Sequence, residues 1–193
     1  IMYALVESGN ITKIFHNPKG FLLNGNQYSA DIFTKWSKSE KEAIGLYEVI
    51  FDDTNKKNEK WYYNTNQTFT YDASAKTVTA TYGTATAKAH ADTGSGEELV
   101  EGLKTILIRE IKQQAGDILS KTDWYVTRKS EKSTAIPSNI STHRDAVRTK
   151  QAEMETSITN AADTAALETL YTYVLQEDGS LVRPLGELPE LES

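Results

Sequence analysis

Lys76-Thr77-Val78-Thr79-Ala80-Thr81-Tyr82, and the stretch that runs from Asp92-Thr93-Gly94-Ser95-Gly96 to Ile118, decide the fold class. The first alternates with period two. Val78, Ala80 and Tyr82 share one face and the threonines the other, as on a half-buried strand. The second opens short, polar and rich in glycine, then steps by three or four. Val100, Leu103, Leu107, Ile111, Ala115 and Ile118 fall on one helix face, with Leu99 and Ile106 beside it. The change of period predicts an α+β chain in two modules. A small, mostly antiparallel β-rich module covers 1–92, and a linker covers 93–96. An α-helical module, a helical hairpin or a bundle, covers 97–176, and an extended tail covers 177–193.

Upstream of the alternating strand the turn chemistry is explicit. Tyr3 to Glu7 and Ile11 to Phe15 flank Ser8-Gly9-Asn10, a hairpin signal. Asn24-Gly25 separates Phe21-Leu22-Leu23 from Gln27-Tyr28 and tolerates the positive φ of a tight turn. Ser37-Lys38-Ser39-Glu40 is a capping box, and Gly45 stands where a helix stops. Leu46 to Phe51 resumes as a strand, Asp52 to Lys60 is a polar loop, and Trp61-Tyr62-Tyr63 and Thr68 to Tyr71 complete the β-rich half.

Downstream, the stripe predicts a helix over 97–121. Asp123 caps a second helix that carries Trp124, Val126 and Arg128 and is broken at Ala135-Ile136-Pro137. Ile140, His143, Val147, Met154 and Ile158 mark a third. Asp163 caps a fourth, with Leu167, Leu170, Tyr171 and Val174 inward, and Gln176 to Ser180 is a turn.

Of 193 residues, 38% are hydrophobic, which suits two modest cores better than one large one. Without cysteine there are no disulfides or thiolate metal sites. No apolar run reaches membrane-span length, and the opening Ile1 to Glu7 does not read as a signal peptide; Met2 reads as the natural start. The net charge of −6 argues against nucleic acid as a partner. Residues 1–96 hold ten lysines and ten acids, whereas residues 97–193 hold all five arginines and the whole negative excess.

Patterns that carry chemistry are missing from the sequence. His16, His90 and His143 have no zinc spacing, Gly94-Ser95-Gly96 lacks the lysine of a phosphate loop, and Asp52-Asp53-Thr54-Asn55 lacks the glycine and closing glutamate of a calcium loop. Glu97, Glu98 and Glu101 are explained by the positive end of a helix dipole. The expectation is a protein that is not an enzyme and has no catalytic residue, metal or cofactor. Trp61, Tyr62, Tyr63, Phe69 and Tyr71 leave a glycan-stacking face as one alternative function.

Two stretches resemble the tail-fibre-associated and tail-fibre assembly proteins of tailed bacteriophages. One is Met2 to Ile11 with Ala43 to Val49. The sharper one runs through Asp123-Trp124, Arg128-Lys129-Ser130-Glu131, Ile136-Pro137, His143-Arg144 and Val147-Arg148. The resemblance implies a structural component of the virion tail, made in the host cytoplasm, that docks fibre or baseplate subunits. Its partners would be other phage tail proteins, with the chain a homo-oligomer or seated on a trimeric partner. The alternative in the same family is an assembly chaperone absent from the mature virion. His143 stands where the family pattern usually has tyrosine. The continuation through Tyr171 to Leu175 and Leu181 to Leu185 favours a component that stays in the particle.

Three sets of residues are candidates for docking. The stripe Leu99, Val100, Leu103, Leu107 and Ile111 is wide enough to face a partner helix. The motif residues Asp123, Trp124, Arg128, Glu131, Pro137, Arg144 and Arg148 are a second set, whose arginines are expected to pair with Asp123, Glu131 or Asp145. The third is the proline-interrupted tail with Leu181, Leu185, Leu188 and Leu191, expected either to reach a neighbour as an arm or to fold back on its own module.

Overall fold

A computed structural model describes residues 1–191. The chain divides into two units, Ile1–Thr86 and Ala87–Ser193. The boundary therefore falls ahead of the glycine-containing segment expected to separate the modules.

In the first unit, the turn chemistry acts as the sequence indicates. β1 (Tyr3–Glu7) and β2 (Asn10–Phe15) are joined through Ser8 and Gly9, both at positive φ. β3 (Phe21–Leu23) and β4 (Asn26–Tyr28) are joined the same way through Asn24 and Gly25. Two short helices follow, α1 (Ile32–Lys35) and α2 (Lys38–Ala43), the second closed by the reciprocal Ser37–Glu40 capping box. Gly45 has φ +78° and its missing Cβ would lie 2.3 Å from the Val6 carbonyl oxygen, so only glycine lets β5 (Leu46–Asp52) enter beside β1. β6 (Tyr62–Tyr63), β7 (Thr68–Asp72) and β8 (Thr77–Thr81) complete the unit, and β9 (Thr86–Ala87) straddles the boundary.

The main sheet has strand order β2-β1-β5-β8-β7. Its pairings are antiparallel except between β5 and β8, which run parallel. The sheet curls, bringing β2 toward β7. The concave side is filled by small and medium residues, Ala4, Val6, Val49, Val78 and Ala80, with Tyr47 and Tyr71 joined by a hydroxyl hydrogen bond of 3.1 Å. On the other side Tyr3, Leu5, Phe15 and Leu46 pack under α1 and the β3–β4 hairpin, where Phe33 meets Tyr3 and Phe15 edge-on, each at 5.2 Å. β1 is thus buried on both faces.

In the second unit, α3 (Leu103–Ser120) packs along α5 (Ser138–Asn160). α4 (Asp123–Lys132) lies between them in sequence, and α6 (Thr164–Tyr171) is followed by a hairpin of β10 (Val174–Leu175) and β11 (Leu181–Val182). Leu107, Ile111 and Ala115 of α3 meet a core built from Ile140, Val147, Met154 and Ile158 of α5, Leu167 of α6 and Leu185.

The start of the first long helix departs from expectation. The helix begins at Leu103, not at 97, because its first amides are satisfied by the preceding chain. Asp92 Oδ1 accepts from the Gly102 amide at 2.7 Å and from the Thr105 hydroxyl at 2.7 Å, while the carbonyls of Ala89 and His90 take the amides of Leu103 and Lys104. Residues 93–96 therefore belong to a loop closed on itself, with Thr93 and Val100 bonded to each other twice, and do not hang as a free linker. The tail takes the second of the two courses expected for it. From Arg183 it folds back on its own unit: the Leu185 amide donates to the Leu170 carbonyl at 3.0 Å, and Pro189 reaches His143. It lies beyond the end of the eight-residue α6 and, through Pro189 and Leu191, lines clefts beside the first half of α5.

Candidate docking site

Two of the motif residues, Asp123 and Arg144, meet at the corner between α3 and α4. Thr122 ends the turn after α3, and the guanidinium of Arg144, projecting from α5, closes that corner. Its Nη1 donates to the Leu119 carbonyl and to the Thr122 hydroxyl, each at 2.7 Å, and its Nη2 donates to Asp123 Oδ1 at 2.9 Å. The Arg144 side chain is 9% exposed and that of Asp123 is 60% exposed, so a buried cation is anchored to one wet carboxylate and two protein oxygens. Charge-assisted bonds of this kind are the stronger class, and the fixed fork of arginine suits three acceptors around one corner. The predicted pairing with Asp123 is present, but Asp123 is spent on Arg144 and does not cap α4: Thr122 is the N-cap residue and caps without a side-chain bond.

Arg128 departs from its expected ion pair. Its guanidinium carbon sits 4.8 Å from the Trp124 ring centre and 5.2 Å from that of Tyr125, the two rings themselves lying 3.7 Å apart. Spacing of four residues puts Trp124 and Arg128 on one helix face, where the guanidinium stacks on the indole. Glu131 is exposed. Arg148 pairs with its own-helix neighbour Asp145 at 3.3 Å, and Pro137 is the N-cap residue of α5 with φ −54°.

The remaining feature of α4 is what it leaves uncovered. This ten-residue helix buries none of its residues, although Trp124 is 52% and Val126 42% exposed, and Tyr125 is half-buried. Isolated helices shorter than about 12–15 residues are marginal in water, and most helices gain their stability from a packed apolar face.

The other candidates sort differently. Leu107 and Ile111 are sealed inside the unit's own core, so this part of the stripe is a core face. Leu103 is half-buried at the helix start, and Leu99 and Val100 lie off the helix in the closed loop, exposed. Of the tail leucines, Leu185 is buried and Leu188 half-buried, while Leu181 and Leu191 are exposed. The proposed aromatic face of the first unit is not assembled: Trp61 and Tyr62 are buried, Phe69 and Tyr71 face the concave core, and Tyr63 is exposed.

His143 is nearly buried on α5. Its Nε2 lies 3.0 Å from the Pro189 carbonyl oxygen, which fixes the returning tail, and its Nδ1 is shielded with no hydrogen-bond partner among the described residues. A groove of about 690 Å³ along α5 is lined by Leu119, Arg148, Gln151, Glu155 and Thr159. Gln151 and Lys112 already engage Glu155 there. Among the described residues, no helix is long and apolar enough to cross a membrane. No family model, no curated protein and no solved structure matches this chain.

Proposed function

We propose that this chain is a structural component of a bacteriophage tail that docks fibre or baseplate subunits through α4. The observation that carries the docking reading is a helix with no buried residue that exposes Trp124 and Val126, with Tyr125 and a ring-stacked Arg128 half-buried beside them. Tryptophan, tyrosine and arginine are the residues in which binding energy concentrates at protein interfaces. The Arg144 lock supports the same reading, because it holds the corner that presents α4 and lowers the ordering cost of docking. The phage assignment rests on the resemblance of residues 119–148 to tail-fibre-associated proteins. The returning tail, with Leu185 buried in its own unit, moves the docking role away from a free C-terminal arm.

Quantitative mass spectrometry of purified particles from the phage that encodes the chain tests this. The expected result is the chain at a fixed copy number per particle, reduced at least about tenfold by Trp124→Ala with Arg128→Ala, since loss of one hot-spot cluster costs about 2 kcal/mol or more. A chain abundant in infected cells but missing from particles would make it an assembly chaperone.

A further inference from the structure

The charge carried by α4 sets it apart from the rest of its unit. Residues 121–132 hold four cations and two acids, a net +2. The rest of 97–193 holds seven cations and fifteen acids, a net −8. Pairing divides the same way. Arg109, Lys112, Arg144, Arg148, Lys150 and Arg183 each hold a carboxylate, and Lys104 donates to the Thr159 carbonyl at 2.8 Å. Among the described residues from 97 onward, the cations left with no ion pair or hydrogen bond are Lys121, Arg128, Lys129 and Lys132. All four lie in α4 or just before it. The C-terminal ends of α3 and α4 favour Lys121, Lys129 and Lys132. They do not explain why a unit with an excess of acids brings no carboxylate to any of them.

These cations share a face with the aromatic rings. A helical period of about 3.6 residues puts Trp124, Tyr125, Arg128, Lys129 and Lys132 on one side of α4, and Asp123, Val126 and Ser130 on the other. Trp124, Lys129 and Lys132 are exposed. Stacking on the indole holds the Arg128 guanidinium in place, and its Nε is shielded without a hydrogen-bond partner among the described residues. Its charge is oriented, but no carboxylate of the described residues answers it. The planar fork of an arginine held in this way suits a carboxylate brought by another molecule.

The inference that follows rests on docking at α4 and names the chemistry of the partner there. We propose that the partner presents an acidic polypeptide segment with an apolar side chain among its carboxylates. The carboxylates meet Lys129, Lys132 and the terminal nitrogens of Arg128, and the apolar side chain packs on Trp124. Complementary charge at such an interface steers encounter and fixes register. A nucleic acid fits less well. The ten residues of α4 span about 15 Å. A longer polyanion runs onto the acidic remainder of the unit, where repulsion acts over a screening length of about 10 Å. A short acidic segment stays on the helix.

Fluorescence anisotropy tests this with a labelled peptide of glutamates around a central Leu-Phe, titrated with the 193-residue chain. Binding is expected at low salt, weakening at least about tenfold from about 50 to about 300 mM salt. Lys129→Glu with Lys132→Glu should weaken it at least about tenfold. Lys19→Glu with Lys76→Glu, the same charge change at exposed positions of the first unit, should leave it unchanged. Lys129→Gln with Lys132→Gln, which does not oppose the α4 dipole, should give an intermediate loss with wild-type helicity by circular dichroism. The proposal is overturned if the peptide does not bind, if its glutamine counterpart binds equally, or if the charge reversal has no effect. It is also overturned if an oligothymidine of similar length binds more tightly, which would make the face a nucleic-acid site. Copy number in particles separates this inference from the reading it rests on. Loss with Trp124→Ala plus Arg128→Ala, but none with Lys129→Glu plus Lys132→Glu, keeps docking at α4 and overturns the acidic partner. No loss with the Trp124 and Arg128 changes overturns docking at α4 itself.

Discussion

The two units solve the problem of a thin core in opposite ways. The first buries one strand on both faces: β1 sends Tyr3 and Leu5 into an aromatic cluster under α1 and sends Ala4 and Val6 into the concave side of a curled sheet. Both clusters on its faces are apolar apart from the Tyr47–Tyr71 hydroxyl bond. The second packs only one seam of helices and closes its ends with polar devices: Arg144 at the α3–α4 corner, Asp92 at the start of α3, and the Arg183–Glu187–Tyr173 network under the hairpin. The difference teaches that a short apolar stripe can sustain a helical unit when single charged residues fix its corners. It also explains why apolar side chains are left over for display on α4 and on the β10–β11 ribbon.

Substitutions separate the two strategies. Trp36 and Trp61 report on the first unit and Trp124 on the second, so denaturation followed by fluorescence, with Trp124→Phe as the reference, can be assigned. The largest effect is expected from Phe33→Ala. It empties the centre of the aromatic cluster and should cost the first unit about 4 kcal/mol.

Arg144→Met comes next in the second unit. It takes the charged donor from the buried Thr122 hydroxyl and from the Leu119 carbonyl, which keeps only the Thr122 amide and hydroxyl, at about 3 kcal/mol. Asp123→Asn should cost less than about 1 kcal/mol, because the carboxylate is wet and loses only a partly exposed pair. Equal effects at the two positions would show that the ion pair, and not the corner, is what matters. Leu185→Ala should follow at about 2–3 kcal/mol, confirming by denaturation midpoint that the returning tail belongs to the core.

The smallest expected effect is electrostatic. The Gly102 backbone amide, and after it the Thr105 hydroxyl, hold the Asp92 carboxyl below its ordinary range. A folded-state value below the unfolded one means that this contribution is complete above the ordinary aspartate range and is lost as pH falls through the folded value. Thermal midpoints from pH 6 down to pH 2 should therefore fall less steeply for Asp92→Asn than for the wild type. Some acid slope should remain, because Arg109 lowers Glu101, and Ser180 lowers Asp178, in the same direction.

Much of the first unit was legible because its signals are local. Asn24-Gly25, the Ser37–Glu40 box and the alternation through Val78 and Ala80 each state a backbone conformation or a face without reference to distant residues. The burial of Trp61 and Tyr62 was not, since a run of aromatics reads alike on a surface and in a core. In the second unit the stripe Leu107-Ile111-Ala115 was readable as a face, but an amphipathic pattern does not say whether its partner lies in the same chain. The start of α3 was misplaced because acids at 97, 98 and 101 mimic a first turn, while the actual cap comes from Asp92, ten residues before Gly102. For Arg128, charge suggested a carboxylate, and only the geometry shows two rings in reach first. The convergence of Thr122, Asp123 and Arg144 spans more than twenty residues and has no local signature.

Amide hydrogen exchange across α4 in the isolated 193-residue chain tests the central claim most directly. A helix that buries none of its residues and waits for a partner should open far more readily than the seam it is attached to. Its amides from Val126 to Lys132 are expected to exchange on the order of 100-fold faster than those of Leu107 to Ala115 and Val147 to Met154. Protection of α4 equal to that of α3 and α5 in the free chain would mean that the helix is already fully supported, and would contradict its assignment as the docking element.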